Sequence, residues 1–240
     1  VTPKRTKMRF LCLLSILFLS SMATAIDVND ILQKVRANYS DSKSIEYYTS
    51  YALFKGHYSK TIHSEYNGYV YKYKNETYQK INKTEFIYGK DFFLQISHSE
   101  KAVLLDGLQK NINTAVDLDQ VLKKCKSKKV IENEGYYEVT LTYPDGSSSP
   151  FSHVRMRISK KKYYLTQLDL FYIRMQNFST SYRKKDLAQS HLRITFTKTK
   201  INLKGRKKIV DFENYITILN KFLTPKGVCL GYELIDNRLK

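Results

Sequence analysis

Glycine and proline are sparse in this chain of 240 residues, nine and four respectively, and no long Gly/Pro/Ser-rich linker cuts it. The sequence therefore reads as one domain with no fixed-period repeat. No stretch approaches the roughly 20 uninterrupted apolar residues of a membrane-spanning helix. Catalytic signatures are missing too: there is no G-x-S-x-G elbow, H-E-x-x-H, P-loop or C-x-x-C. His57 and His63 face each other across a candidate hairpin, but neither has a carboxylate or cysteine at ligand spacing, so they read as surface histidines. Ser147 to Ser149 with His153 sit in a Pro-Asp-Gly turn without an orienting third group. Glu132 and Glu134 share a strand face that nothing in the sequence buries. No enzymatic activity, metal or cofactor is expected. Acidic residues are few, 22 against 41 lysines and arginines, for a net charge of +19. Much of that excess reads as solvated surface in a chain rich in Lys, Asn, Tyr and Ile. It also suits anionic lipid headgroups, acidic polysaccharide or an acidic protein partner.

The chain opens on "VTPKRTKMRFLCLLSILFLSSMATA", a basic start, a short apolar run from Phe10 to Leu19, and Ala23 and Ala25 in the A-x-A pattern of a cleavage site. This is the pattern of a secretory signal peptide over residues 1–25, cleaved near Ala25-Ile26, which places the remaining 26–240 in the periplasm or outside the cell. Cleavage removes Lys4, Arg5, Lys7 and Arg9 and takes the charge to +15. Nucleic acid is then not an expected partner. Cys125 and Cys229 remain; in an oxidising compartment they pair or stay as two buried thiols, and their separation in sequence does not decide which.

"DVNDILQKVRANY" spaces Ile31, Leu32, Val35 and Tyr39 for a short amphipathic helix. "SIEYYTSYALFKG" reads as a strand, and "EYNGYVYKY" as two runs about an Asn67-Gly68 turn. In "GYVYKYKNETYQKI" tyrosine alternates with lysine, so that Tyr69, Tyr71, Tyr73 and Tyr78 fall on one face of a hairpin turned at Asn75-Glu76. "TEFIY", "DFFLQIS" and "KAVLL" supply further strands. Val116, Leu118, Val121, Leu122 and Cys125 suggest a second helix. Tyr137, Val139, Leu141 and Tyr143 alternate up to Pro144-Asp145-Gly146, Val154, Met156 and Ile158 alternate down, and Leu168, Leu170 and Tyr172 add a third arm. "HLRITFTKTKINL" is another strand, and "FENYITILNKFLTP" reads as a late helix stopped at Pro225. About nine to eleven antiparallel strands would curl rather than lie flat. Basic clusters at 123–129, 160–162, 183–185 and 204–208 are expected at helix or turn positions, along one rim of the sheet.

This order, a signal peptide, a helix "ILQKVRANYSDSKSIEYYTSY" leading into a long strand, hairpins, a mid-chain helix and the unit "YYEVTLTYPDGSSSPFSHVRMRISKKKYYLTQLDLF", resembles the LolA-like periplasmic carriers of outer-membrane lipoproteins and their LolB- and LppX-type lipid-binding relatives. The likeness spans about residues 27–203, with 211–240 as a helical extension. It implies an α+β, mainly antiparallel fold: an open half β-barrel with helices covering the concave face. It also implies a non-enzymatic carrier of lipid or lipoprotein acyl chains. The implied cavity residues are Tyr47, Tyr51, Leu53, Tyr69, Tyr71, Tyr73, Tyr78, Phe92, Leu94, Ile96, Val139, Leu141, Met156, Leu168 and Leu170. The partners expected are lipid or an acylated protein, with an anionic membrane surface as a further one, and the chain is expected to act as a monomer. The alternative is a basic secreted adhesive or structural protein that binds anionic polysaccharide or a membrane surface.

Overall fold

The computed structural model describes residues 26–40, 44–107, 122, 124–181, 183–219 and 222–238. The leader-like segment 1–25 and Val116, Leu118 and Val121 of the second expected helix lie outside these residues. Helix α1 (Val28–Ser40) precedes the strands. Six strands then form a meander: β1 (Ser44–Phe54), β2 (Ile62–Tyr73), β3 (Glu76–Ile81), β4 (Thr84–Tyr88), β5 (Phe93–Ser97) and β6 (Ala102–Asp106). Five more follow: β7 (Ser127–Glu132), β8 (Tyr136–Thr142), β9 (Phe151–Ser159), β10 (Leu165–Asn177) and β11 (Leu187–Ile201). The C-terminal segment adds a small hairpin, β12 (Ile216–Leu219) and β13 (Phe222–Pro225), and a last strand β14 (Glu233–Asp236). Twelve strands form one open sheet in the order β14-β6-β5-β4-β3-β2-β1-β11-β10-β9-β8-β7. It exceeds the expected strand number and is not a closed barrel. All its pairings are antiparallel except β14 on β6. The second meander returns to the first strand through the β1–β11 ladder.

The two halves of the sheet are covered on opposite faces. Tyr51 pairs with Tyr66 and Ile194, so odd residues of β1 share a face with Leu168 and Met156. Helix α1 packs Ile31, Leu32 and Val35 onto that face over Val139, Leu141, Met156 and Leu168. Glu46 pairs with Tyr71, and Tyr71 with Tyr78, which places even residues of β1 and Tyr69, Tyr71 and Tyr73 of β2 on the other face. There the C-terminal segment covers Tyr71, Tyr78, Ile87, Leu94 and Leu105 with Val210, Tyr215, Ile216 and Cys229.

The extension is not helical. Among its described residues Phe212–Asn214 and Gly227–Cys229 are 3₁₀ turns, Ile216–Leu219 pairs with Phe222–Pro225 as β12 and β13, and Glu233–Asp236 is β14. Ile216, Thr217, Ile218 and Thr224 are β-branched and favour strand, overriding the helical spacing. Cys125 and Cys229 are both free thiols. Cys229 lies in the core that the C-terminal segment forms with its face of the sheet, and Cys125 against the core on the opposite face, which separates them. Burial pushes the Cys229 thiol up to about 11.

Asn67-Gly68 is not a turn: β2 runs through it, with Asn67 opposite Ser50 and Gly68 opposite Thr49. Gly68 is not among the glycines with positive φ. Its missing side chain serves packing, since a Cβ there would lie 2.4 Å from Thr49 Oγ1, 2.9 Å from the Lys80 carbonyl oxygen and 3.0 Å from the Tyr51 ring. Replacing Gly68 by alanine should cost about 1–3 kcal/mol, the usual penalty of overpacking. Asn67→Ala, an exposed position, should be close to neutral. Urea denaturation of both variants measures the difference, and a neutral Gly68→Ala would show that the Tyr51 ring does not need the space.

Candidate functional site: two apolar faces and a histidine–arginine surface

The predicted cavity residues divide between the two faces. Tyr47, Tyr51, Leu53, Val139, Leu141, Met156, Leu168 and Leu170 lie on the helix side, whereas Tyr69, Tyr71, Tyr73, Tyr78, Leu94 and Ile96 lie on the side of the C-terminal segment. Phe92 precedes β5 and meets Phe212 with ring centroids 5.1 Å apart. They do not line one hollow. Tyr69, Tyr71, Tyr73 and Tyr78 do share a face, and what they face is the protein's own chain. Tyr71 is fully buried, and its hydroxyl accepts a bond from the Lys207 backbone N–H at 2.8 Å. Tyr69 donates to Glu46 Oε2 at 3.1 Å, and Lys207 Nζ bonds both groups. Burial opposes ionisation of Glu46, but hydrogen bonds from Lys207 and Lys200 outweigh it and hold the carboxyl below its ordinary range. A groove of about 500 Å³ beside this segment is lined by charged groups, Glu76, Lys90, Asp91 and Arg206 among them, with Phe92 and Phe212.

On the helix side one rung runs unbroken across six strands, Tyr66–Tyr51–Ile194–Leu168–Met156–Val139. Beside it runs Leu53–Leu192–Leu170–Val154–Leu141. Exposure rises along the first rung from 0% at Leu168 beneath α1 to 45% at Tyr66. Tyr51, Leu53, Leu192 and Phe196 are half-buried in between. Helix α1 thus covers one end of the apolar rungs, and the other end emerges on β11, β1 and β2.

The opposite face of β9, β10, β11 and β1 holds a row that the sequence did not announce. His153, Phe171, His191 and Phe54 occupy successive paired positions. Their rings stack at centroid separations of 3.9, 5.1 and 4.2 Å in turn. His57 sits edge-on to Phe171 and His153, and its Nε2 meets the Tyr172 carbonyl at 2.9 Å. His57 and His63 form no pair: His63 lies instead against Phe178, with ring centroids 4.7 Å apart. The next row is ionic, with Asp169, 1% exposed, between Arg155 and Arg193. Among the described residues no group of three or more His, Cys, Asp or Glu is placed to hold a metal ion. The basic clusters do not share a rim. Lys126, Lys128 and 183–185 stand at the end of the sheet where β1 finishes, and 160–162 and 204–208 at the end where it begins.

No protein-family model and no curated protein matches the chain. Solved structures similar to it include an uncharacterised conserved protein from Thermus thermophilus, at 9% identity over 87% of this chain and 98% of that one, with a TM-score of 0.46. A LolA superfamily protein from Nitrosomonas europaea aligns at 12% identity over 77% of this chain and 96% of its own, with a TM-score of 0.34. The Mycobacterium tuberculosis lipoprotein LppX aligns at 13% identity over 75% and 99%, also with a TM-score of 0.34.

The stacked row makes stability depend on pH. His191 Nδ1 donates to the Gly56 carbonyl at 3.0 Å, while its buried Nε2 has no partner. A second ring proton there would have no acceptor. Burial lowers the pKa of both His153 and His191 in the folded protein. The unfolded chain therefore binds more protons in acid. Stability from the neutral rings is complete above the ordinary histidine value of about 6.5 and is lost as pH falls through the lowered folded values. Glu46 and Glu85, whose pKa values are also lowered, lose their contribution only below the ordinary carboxylate range of about 4.3. The urea midpoint should fall between pH 7.5 and 5.0, and less so for His153→Phe. An unchanged wild-type midpoint would remove the histidine row as the cause.

Proposed function

We propose that the protein is a non-enzymatic binder and carrier of lipid acyl chains, acting in the periplasm or outside the cell on free lipid or an acylated protein. The site is the strip formed by Tyr51, Leu53, Leu192 and Phe196 where the apolar rungs emerge from beneath α1. The observation that carries the reading is this exposure gradient along a single cross-strand rung, from 0% to 45%. A globular core ends on polar residues at its margin, whereas this row ends on apolar and phenolic side chains over three strands. An acyl chain laid along it loses water from each methylene, worth about 0.8 kcal/mol apiece. Tyr51 and Tyr66 offer broad apolar rings with hydroxyls for headgroup or glycerol oxygens. Packing of Tyr69, Tyr71 and Tyr73 against the C-terminal segment confines the proposal to the helix side.

Protein purified without detergent should release lipid on solvent extraction, read by mass spectrometry, and should take up a fluorescent fatty acid. Leu53→Ser with Leu192→Ser should weaken uptake roughly tenfold, the equivalent of two lost methylene contacts. Tyr73→Ser, on the opposite face, should leave it unchanged. An empty extract together with no fatty-acid uptake would refute the proposal.

A further inference from the structure

At the end of the sheet where β1 finishes, four large apolar side chains are turned to solvent: Tyr58 is 95% exposed, Met175 63%, Leu187 50% and Ile62 46%. Register places Ile62, Met175 and Leu187 on the face of the histidine stack, since Ile62 pairs with Phe54, Met175 with Gln189 and Leu187 with Asn177. The 55–61 loop that carries Tyr58 is tied over this end by three contacts. Lys55 pairs with Asp186 at 2.5 Å, His57 meets the Tyr172 carbonyl, and His191 holds the Gly56 carbonyl. The apolar groups therefore stand on an anchored platform.

Around them Lys60, Arg174, Arg183, Lys184 and Lys185 are all exposed. None of the five has a carboxylate partner among the described residues. The nearest acids in sequence are engaged, Asp186 by Lys55 and Glu65 by Ser50. Apolar side chains ringed by unneutralised cations match a bilayer interface that carries negative headgroups. A soluble polyanion would satisfy the cations but leave Tyr58 and Met175 in water.

We propose that this end of the sheet docks on an anionic lipid bilayer. Tyr58, Ile62, Met175 and Leu187 enter the headgroup region, and Lys60, Arg174 and the 183–185 cluster meet the lipid phosphates. Docking does not rest on the acyl-chain strip: protein that binds vesicles but yields no extracted lipid would keep this proposal and lose the other.

Flotation with phosphatidylcholine vesicles, with and without phosphatidylglycerol, tests it. Binding should require phosphatidylglycerol and weaken with salt. Lys184→Glu with Lys185→Glu should reduce it at least about tenfold, given the contribution of each basic residue at an anionic surface. Tyr58→Ser with Met175→Ser should reduce it several-fold while leaving the salt dependence in place. Lys161→Glu with Lys162→Glu, an exposed pair at the opposite end, should change nothing. All variants share the N-terminal segment, and all substituted positions are exposed, so circular dichroism should show an unaltered fold. Equal binding to both vesicles, equal loss from the two charge-reversal pairs, or binding only to an acidic polysaccharide would each overturn the proposal.

Discussion

Strand β1 has to serve two cores at once, and the rest of the structure follows from that requirement. It pairs with β2 on one side and β11 on the other, so it is the seam between the two meanders. On its odd positions Ile45 and Tyr47 are buried toward the helix side, and on its even positions Ser44, Glu46 and Phe54 are buried toward the other. A strand covered on both faces reads as a near-continuous apolar run, while its neighbours, covered on one face, alternate. Because each half of the sheet is covered on a different side, the seam is where the covered face changes. A one-residue slip in β1 would exchange the two sets and put Glu46 into the helix-side core.

Glu46 shows how the seam is closed. A buried carboxylate is costly unless paired, and here Lys200 from β11, Lys207 from the C-terminal segment and the Tyr69 hydroxyl all meet it. One charge thereby joins three parts of the chain. The C-terminal segment needs such polar fastenings because it has little regular structure of its own. Besides Lys207, Arg206 clamps Glu76 with two bonds, Tyr232 bonds His98, which in turn bonds Glu85, and β14 adds to the sheet edge at β6. The tyrosines suit this arrangement: their rings fill the core, and their hydroxyls reach the backbone and charged groups of the covering chain.

Most strands of the two meanders were legible in the sequence because alternation is local; β7 was not, and it carries Lys128 and Lys129 where a helix or turn was expected. Tyr69, Tyr71, Tyr73 and Tyr78 share a face as their spacing requires, and the β8–β9–β10 unit begins and ends close to its turn residues. Which face meets which cover was not legible. Period-two patterning says that residues i and i+2 lie together, but it does not say whether Tyr51 and Tyr71, on neighbouring strands, fall on the same side. That depends on the register of β1 against β2, and there the Asn67-Gly68 pair misled, since its glycine makes room for Thr49, the Lys80 carbonyl and the Tyr51 ring and does not reverse the chain. The histidine row was illegible for a related reason. His153, Phe171 and His191 come from three strands and meet only through two registers, and nothing near any one of them in sequence signals the stack.

The same logic governs the charge. Arg155 and Arg193 are neutralised on Asp169 and Arg157 on Glu138 in cross-strand ladders, while the clusters 160–162, 183–185 and 204–208 stand beyond strand ends. An 11-residue strand such as β1 spans about 36 Å at roughly 3.3 Å per residue, several times the screening length of about 8 Å at physiological ionic strength. The two ends therefore do not act as one field. A net charge of +19 cannot attract a surface evenly from both, and each end has to be judged on the groups it carries. Where β1 begins, Lys207 and Arg206 are spent on Glu46, Glu76 and Asp211. At the other end Lys60, Arg174 and the 183–185 cluster stand among exposed apolar side chains, so charge and grease meet there.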